Sequence, residues 1–239
     1  MNSAHRLRGW RLGVVCLLST GSALGTFTSA LRAQNMAPAV AEILDRLPDA
    51  SAREAVRGAL EEANARGLPS APLVTKVREG LAKGAAPQRI SAATIALGKR
   101  LATASAALAP AHSVDELVAG ADVLQVGIAE ATLREMRRIW PAKALTVPLG
   151  VLAELVASGV PPVKATSRVR ELLTRGASTT QLAALSNTVR ADVAAGLAPD
   201  AALELRSKGV LSLLASPTSN ALTASPTSPT PTTGIRPPL

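Results

Sequence analysis

The sequence predicts an all-α protein: an array of short antiparallel helical hairpins, α-solenoid-like or an irregular bundle, followed by a disordered Pro/Thr/Ser-rich tail. Three observations predict it. Every convincing apolar recurrence has helical period, Gly-plus-apolar stops recur along the chain, and the chain matches itself without a gap at an offset of 92 residues. Between Leu60 and Ala92, 12 of 33 columns equal their counterparts 92 residues on, including Gly67/Gly159, Pro69/Pro161, Val77-Arg78-Glu79/Val169-Arg170-Glu171 and Gly84-Ala85/Gly176-Ala177. Self-similarity of this kind marks units that bury their apolar faces against one another. The clear copies run near 60–102 and 152–194, and a weak third echo, Leu117-Val118-Ala119-Gly120-Ala121, lies between them at 117–121.

Residues 1–33 read as a signal peptide. His5, Arg6, Arg8 and Arg11 give a basic start with no acid before Glu42, Leu12 to Leu18 is apolar, and small residues follow. Cleavage after Ala33 or after Ala30 suits this pattern, which places the mature protein in the periplasm or outside the cell. The loss of Arg6, Arg8, Arg11 and Arg32 takes the basic residues from 26 to 22 against 17 acids, so the net charge falls from +9 to +5. The loss also removes Cys16, the one cysteine, so no disulfide can form afterwards. No later segment is long and apolar enough to span a bilayer.

Residues 34–215 carry the helical pattern. Val40, Ile43, Leu44 and Leu47 form one face of a first helix that ends at Pro48. Ala52, Ala55, Val56, Ala59, Leu60 and Ala63 continue the pattern, as do Ile128, Thr132, Leu133, Met136 and Ile139. Three capping boxes are predicted, Ser51…Glu54, Ser113…Glu116 and Ser178…Gln181. Helix stops are predicted at Gly67, Gly84, Gly159, Gly176 and Gly196, with Pro69, Pro87, Pro161 and Pro199 near the following helix starts. The stretch from Ala109 to Gly127 is the least regular, and a hinge is expected there. From Ser216 to Leu239 the chain is nearly all Pro, Thr, Ser and small residues, a composition that denies a packed core.

The string Arg66-Gly67-Leu68-Pro69-Ser70-Ala71-Pro72-Leu73, with Lys76-Val77-Arg78-Glu79-Gly80-Leu81-Ala82-Lys83-Gly84 and Pro87-Gln88-Arg89-Ile90, resembles a motif of uncharacterised secreted bacterial proteins. It covers about 30 residues, and the second copy repeats it with Lys164 in place of Pro72 and Thr179 in place of Pro87. The resemblance implies export and helical repeats, and it brings no activity, catalytic residue or cofactor.

Composition argues against familiar catalysis. After loss of the leader no cysteine remains and His112 is the one histidine, which excludes thiol nucleophiles and Cys/His zinc sites. No Gly-x-Ser-x-Gly, Walker-type or His-Glu-x-x-His motif occurs. His112 lies beside Ser113 and Asp115, but Ser113 is expected to cap a helix. The sequence is therefore read as a non-enzyme without a cofactor. Six of the 11 glutamates start i, i+4 pairs with a basic residue: Glu42/Arg46, Glu62/Arg66, Glu79/Lys83, Glu130/Arg134, Glu171/Arg175 and Glu204/Lys208. The local cationic excess is Arg134, Arg137, Arg138 and Lys143 around Trp140. Two readings follow. One is an exported helical-repeat interaction or scaffold protein of the cell envelope with a protein partner. The other is a basic patch around Trp140 that binds an anionic envelope component, with solvated cations and an inward Trp140 as the plainer explanation of the same residues. Nucleic acid is disfavoured by export and by the lack of stacking aromatics.

Overall fold

The computed structural model describes residues 40–110 and 112–215. The expected signal peptide and the whole of the expected tail lie outside these residues. Among the described residues every regular element is a helix. Residues 40–45 (α1) lead into α2 (Ala50–Ala65), α3 (Ala71–Ala82), α4 (Pro87–Leu108), α5 (Val114–Gln125), α6 (Glu130–Ile139), α7 (Thr146–Ala157), α8 (Pro162–Thr174), α9 (Thr179–Ala194) and α10 (Pro199–Ala215). The array is all-α.

Boundaries follow local chemistry. Ser113 and Ser178 form the capping boxes, each accepting from the amide three residues on while Glu116 or Gln181 bonds back to the cap amide. The Ser51 box does not form. Asp49 caps α2 instead, accepting from the Ala52 amide at 2.7 Å, and Ser51 is exposed inside the helix. Asp49 follows Pro48 directly and takes the extended conformation that a cap requires, so the helix starts two residues earlier than the box implies.

Every glycine stop expected from sequence is present, and each closes in the same way. At Gly84 the amide bonds to the Leu81 carbonyl and the next amide, Ala85, reaches the Gly80 carbonyl. Gly176 and Ala177 repeat this on Leu173 and Leu172. The φ angles are +62° at Gly84 and +83° at Gly176, and a Cβ built at either meets open space. The glycines are thus required by backbone conformation and not by crowding. Gly84→Ala and Gly176→Ala are each expected to cost about 1–2 kcal/mol. A raised melting temperature for either variant would contradict the stop.

The weak echo at 117–121 is not a stop. Gly120 is buried within α5, where a Cβ would lie 3.0 Å from Ala104 Cβ and 3.2 Å from Leu108 Cδ1, so its role is close approach of α5 to α4. The helix ends later, at Gly127, with Ile128 as the buried residue that folds back onto Val123.

Packing follows the two-copy pattern. The α2–α4 and α4–α5 contacts of the first copy recur as α7–α9 and α9–α10 in the second, and α5 packs on α7 to join them. Helices two apart therefore pack together as well as consecutive ones. One aligned column differs with visible effect. In copy one Gly80 leaves room for Ile90, whose Cγ1 would sit 2.7 Å from an added Cβ, and α3 rests on α4. In copy two the same column holds the buried Leu172, and α8 packs on α7 and α10. The core is Leu, Val, Ile and Ala with Met136; buried Thr94 and Ser207 bond to carbonyls of their own helices. Because each small side chain buries little area, stability is spread over many modest contacts.

Candidate functional site

The residues around Trp140 sit at the junction of the two copies, and the structure divides them. The apolar stripe of α6 faces inward as Leu133 and Met136, and Arg137 shares that face, 8% exposed. Its Nη2 donates to Glu116 Oε2 at 3.0 Å, and its Nη1 donates to the Lys143 carbonyl at 3.1 Å and the Trp140 carbonyl at 3.4 Å. Glu116, 4% exposed, also accepts from the Leu145 amide at 2.5 Å and the Ser113 amide at 3.1 Å. One buried ion pair thus ties the start of α5, the end of α6 and the entry to α7. Arg137 is a structural residue here, and it leaves the expected surface patch.

The other members remain outside. Arg134 pairs with Glu130 at 2.7 Å, and Arg138 lies 3.6 Å from Glu135, which also holds Arg170 of α8 at 2.5 Å. Trp140 ends α6 half-buried against the core, with the Lys143 ammonium 4.8 Å from its ring centroid. Such an exposed cation–π contact is worth about 0.5–1 kcal/mol. The surface is therefore Arg134, Arg138, Arg170 and Lys143 against Glu130 and Glu135, a modest cationic excess.

Five of the six i, i+4 pairs read from sequence form ion pairs, at Glu62/Arg66, Glu79/Lys83, Glu130/Arg134, Glu171/Arg175 and Glu204/Lys208. Sequence did not foretell the longer links: Arg168 to Glu204, Lys164 to Asp200, and the two-pronged Arg206–Asp192 pair at 2.6 and 2.7 Å. The copies share a charge triad on their third and eighth helices. Glu79 lies between Lys76 (2.7 Å) and Lys83 (2.6 Å), and Glu171 lies between Arg168 (2.6 Å) and Arg175 (3.8 Å). Hydrogen bonds from Lys76 and then Lys83 hold the Glu79 carboxyl down to about 2.

His112 is exposed, with Nε2 3.2 Å from Ser105 Oγ, and among the described residues no carboxylate joins that pair. A shallow groove between α2 and α4 is lined by Glu62, Arg66, Leu68, Ile95 and Lys99. Its empty space of about 270 Å³ includes open solvent at its mouth. Among the described residues no cluster of three His, Cys, Asp or Glu could hold a metal, and no helix is long and apolar enough to cross a membrane. No protein-family model, curated protein or solved structure matches this chain.

Proposed function

We propose that this chain is an exported helical-repeat interaction or scaffold module of the bacterial cell envelope, acting by binding and not by catalysis. The observation that carries the reading is the repeated surface. Lys76-Glu79-Lys83 and Arg168-Glu171-Arg175 occupy equal positions of α3 and α8, and Lys83 and Arg175 are both more than half exposed. Repeat arrays bind through surfaces that recur in this way. The basic leader and apolar run of residues 1–33 support export to the periplasm or beyond.

The test is cross-linking of the exported chain to envelope proteins, followed by titration of the captured partner after purification. Saturable binding that Lys83→Glu with Arg175→Glu weakens at least tenfold is the expected result. Equal binding by the double variant, or no saturable partner, would remove the reading.

A second reading rests on Lys143 over Trp140 with Arg134 and Arg138 nearby: contact with an anionic envelope component such as lipid headgroups. Vesicles with and without anionic lipid separate the two. Binding that needs the anionic lipid, falls steeply with salt and is lost in Lys143→Ala with Arg138→Ala selects the surface reading.

A further inference from the structure

The two ends of the array are unlike. Near one end the side of α2 turned away from α4 carries Glu54, Arg57 and Glu61, all exposed. At the other end α10 packs inward through Ala202, Leu203 and Ser207 on α8 and α9, and apolar residues also point outward, with Leu205 57% and Leu213 70% exposed. The corresponding helix of the first copy, α5, is covered by α7 of the second. Among the described residues nothing follows α10 to do the same.

The exposed stripe of α10 has a pattern of its own. Ala201, Leu205, Gly209 and Leu213 recur every four residues, alternating small and large, and all four are exposed. Gly209 is unexplained within the chain. It lies inside a helix, where glycine costs about 0.8–1 kcal/mol relative to alanine, and an added Cβ would meet nothing within 4 Å. The flanking cations turn away from the stripe, Arg206 onto Asp192 and Lys208 onto Glu204 at 3.3 Å. The stripe is left apolar between two cations that are each paired on its flank, Arg206 with Asp192 and Lys208 with the Glu204 carboxylate that Arg168 shares.

From this we infer that α10 pairs with α10 of a second copy about a two-fold axis that passes between Leu205 and Gly209 on the exposed side of the helix. In that antiparallel register Leu205 meets Gly209 of the second copy and Leu213 meets Ala201, so every large residue faces a small one. The row is inclined as i±4 rows are, the geometry that sets the commonest helix crossing of about 50°. Identity of the two surfaces is what a two-fold interface demands. A polar α2 face does not offer this fit, which disfavours head-to-tail growth. Arg206 would face Lys208 across the axis, each beside its own carboxylate, so salt should tighten the pairing. A 17-residue helix is about 25 Å long, so the contact belongs to the small, transient class, below about 1,200 Å². This pairing is independent of the envelope partner proposed above.

Sedimentation equilibrium of the chain with residues 216–239 retained, from about 1 µM to several hundred µM, tests it. A monomer–dimer equilibrium is expected, abolished by Leu205→Glu and by Gly209→Leu. Gly209→Leu should keep the helix signal and hold or raise the melting temperature, because leucine favours the helix over glycine and nothing in the chain itself lies within 4 Å of a Cβ added at that position. For the register, a mixture of Leu205→Cys and Gly209→Cys chains in a Cys16→Ser background should cross-link more readily than either alone. Three results would overturn the inference: a monomer throughout, a dimer that both substitutions leave intact, or a monomer that dimerises only when residues 216–239 are removed. The last would make the chain's own end the occupant of the face.

Discussion

Arg137→Ala is expected to lower the free energy of unfolding by about 3–5 kcal/mol, because it leaves the Glu116 carboxylate buried without its counter-charge. The whole stability of such a domain is about 5–15 kcal/mol, so this one change should show as a large shift in denaturant midpoint. Replacing both partners, Glu116→Leu with Arg137→Met, should recover part of the loss. Recovery stays incomplete because the Leu145 and Ser113 amides also lose their acceptor. Burial pushes the Glu116 carboxyl up, but the Leu145 amide, Arg137 and the Ser113 amide outweigh it and hold the group below its ordinary value. A depressed carboxyl contributes stability that is present above its unfolded value, about 4.3, and lost as pH falls through the folded value. Glu79, Asp192 and Glu204 act in the same direction, through their bonds to Lys76 and Lys83, to Arg206, and to Arg168 and Lys208. Asp122 opposes them. Burial raises it against the pull of Lys76 and Arg100, so its ionisation costs stability at neutral pH and that cost is relieved in acid. Stability measured from pH 7 to pH 3 should fall, and fall less in Arg137→Ala, whose Glu116 has lost one of the bonds that depress it. An equal fall in both proteins would contradict the role given to the junction pair.

Leu101→Ala is expected to cost about 2–5 kcal/mol. Leu101 is fully buried on α4, and α4 packs on α2, α3, α5 and α6, so the void would open where several helices meet. Leu152→Ala, in the second copy, should cost a similar amount. The α5–α7 contact and the Glu116–Arg137 pair couple the copies, so each substitution should shift one transition of the whole array. Arg137→Ala should loosen that coupling. Two separated transitions in Arg137→Ala combined with Leu101→Ala, against one in Leu101→Ala alone, is the expected calorimetric signature. Two transitions in the unsubstituted chain would mean that the copies fold independently.

What the sequence discloses here is local. Gly67, Gly84, Gly159, Gly176 and Gly196 could be read as stops because an apolar or small residue follows each and a proline or a cap opens the next helix. Gly127 escaped because no proline or cap residue follows Ile128, and because Gly120-Ala121 imitates the same pattern seven residues earlier. Only a neighbouring helix, with Ala104 and Leu108 pressed against it, separates a buried glycine from a stop. Asp49 and Ser51 are both good caps, and the sequence does not rank them. Arg137 left a trace that a count of charges misses. Leu133, Met136, Arg137 and Trp140 stand at i, i+3, i+4 and i+7, so the arginine occupies an apolar position. Its acceptor, Glu116, is 21 residues away and carries a capping signal of its own. The surface members Arg134, Arg138 and Lys143 were legible as a group, because nearness along one helix and its loop already implies nearness in space.

The recurring stop has a consequence for how such a chain can lengthen. Each closes its last carbonyls with main-chain amides of the next two residues, at Gly84-Ala85 as at Gly176-Ala177. It borrows nothing from the side chains of other helices. A segment that ends in such a stop carries its own punctuation, and a tandem duplication of it would arrive with helix ends already resolved. What a new copy must still find is a surface for its outermost helix. The columns free to drift between copies are then those, like Gly80 and Leu172, that decide which neighbour a helix leans on. Divergence after duplication would rewrite the packing first and the punctuation last.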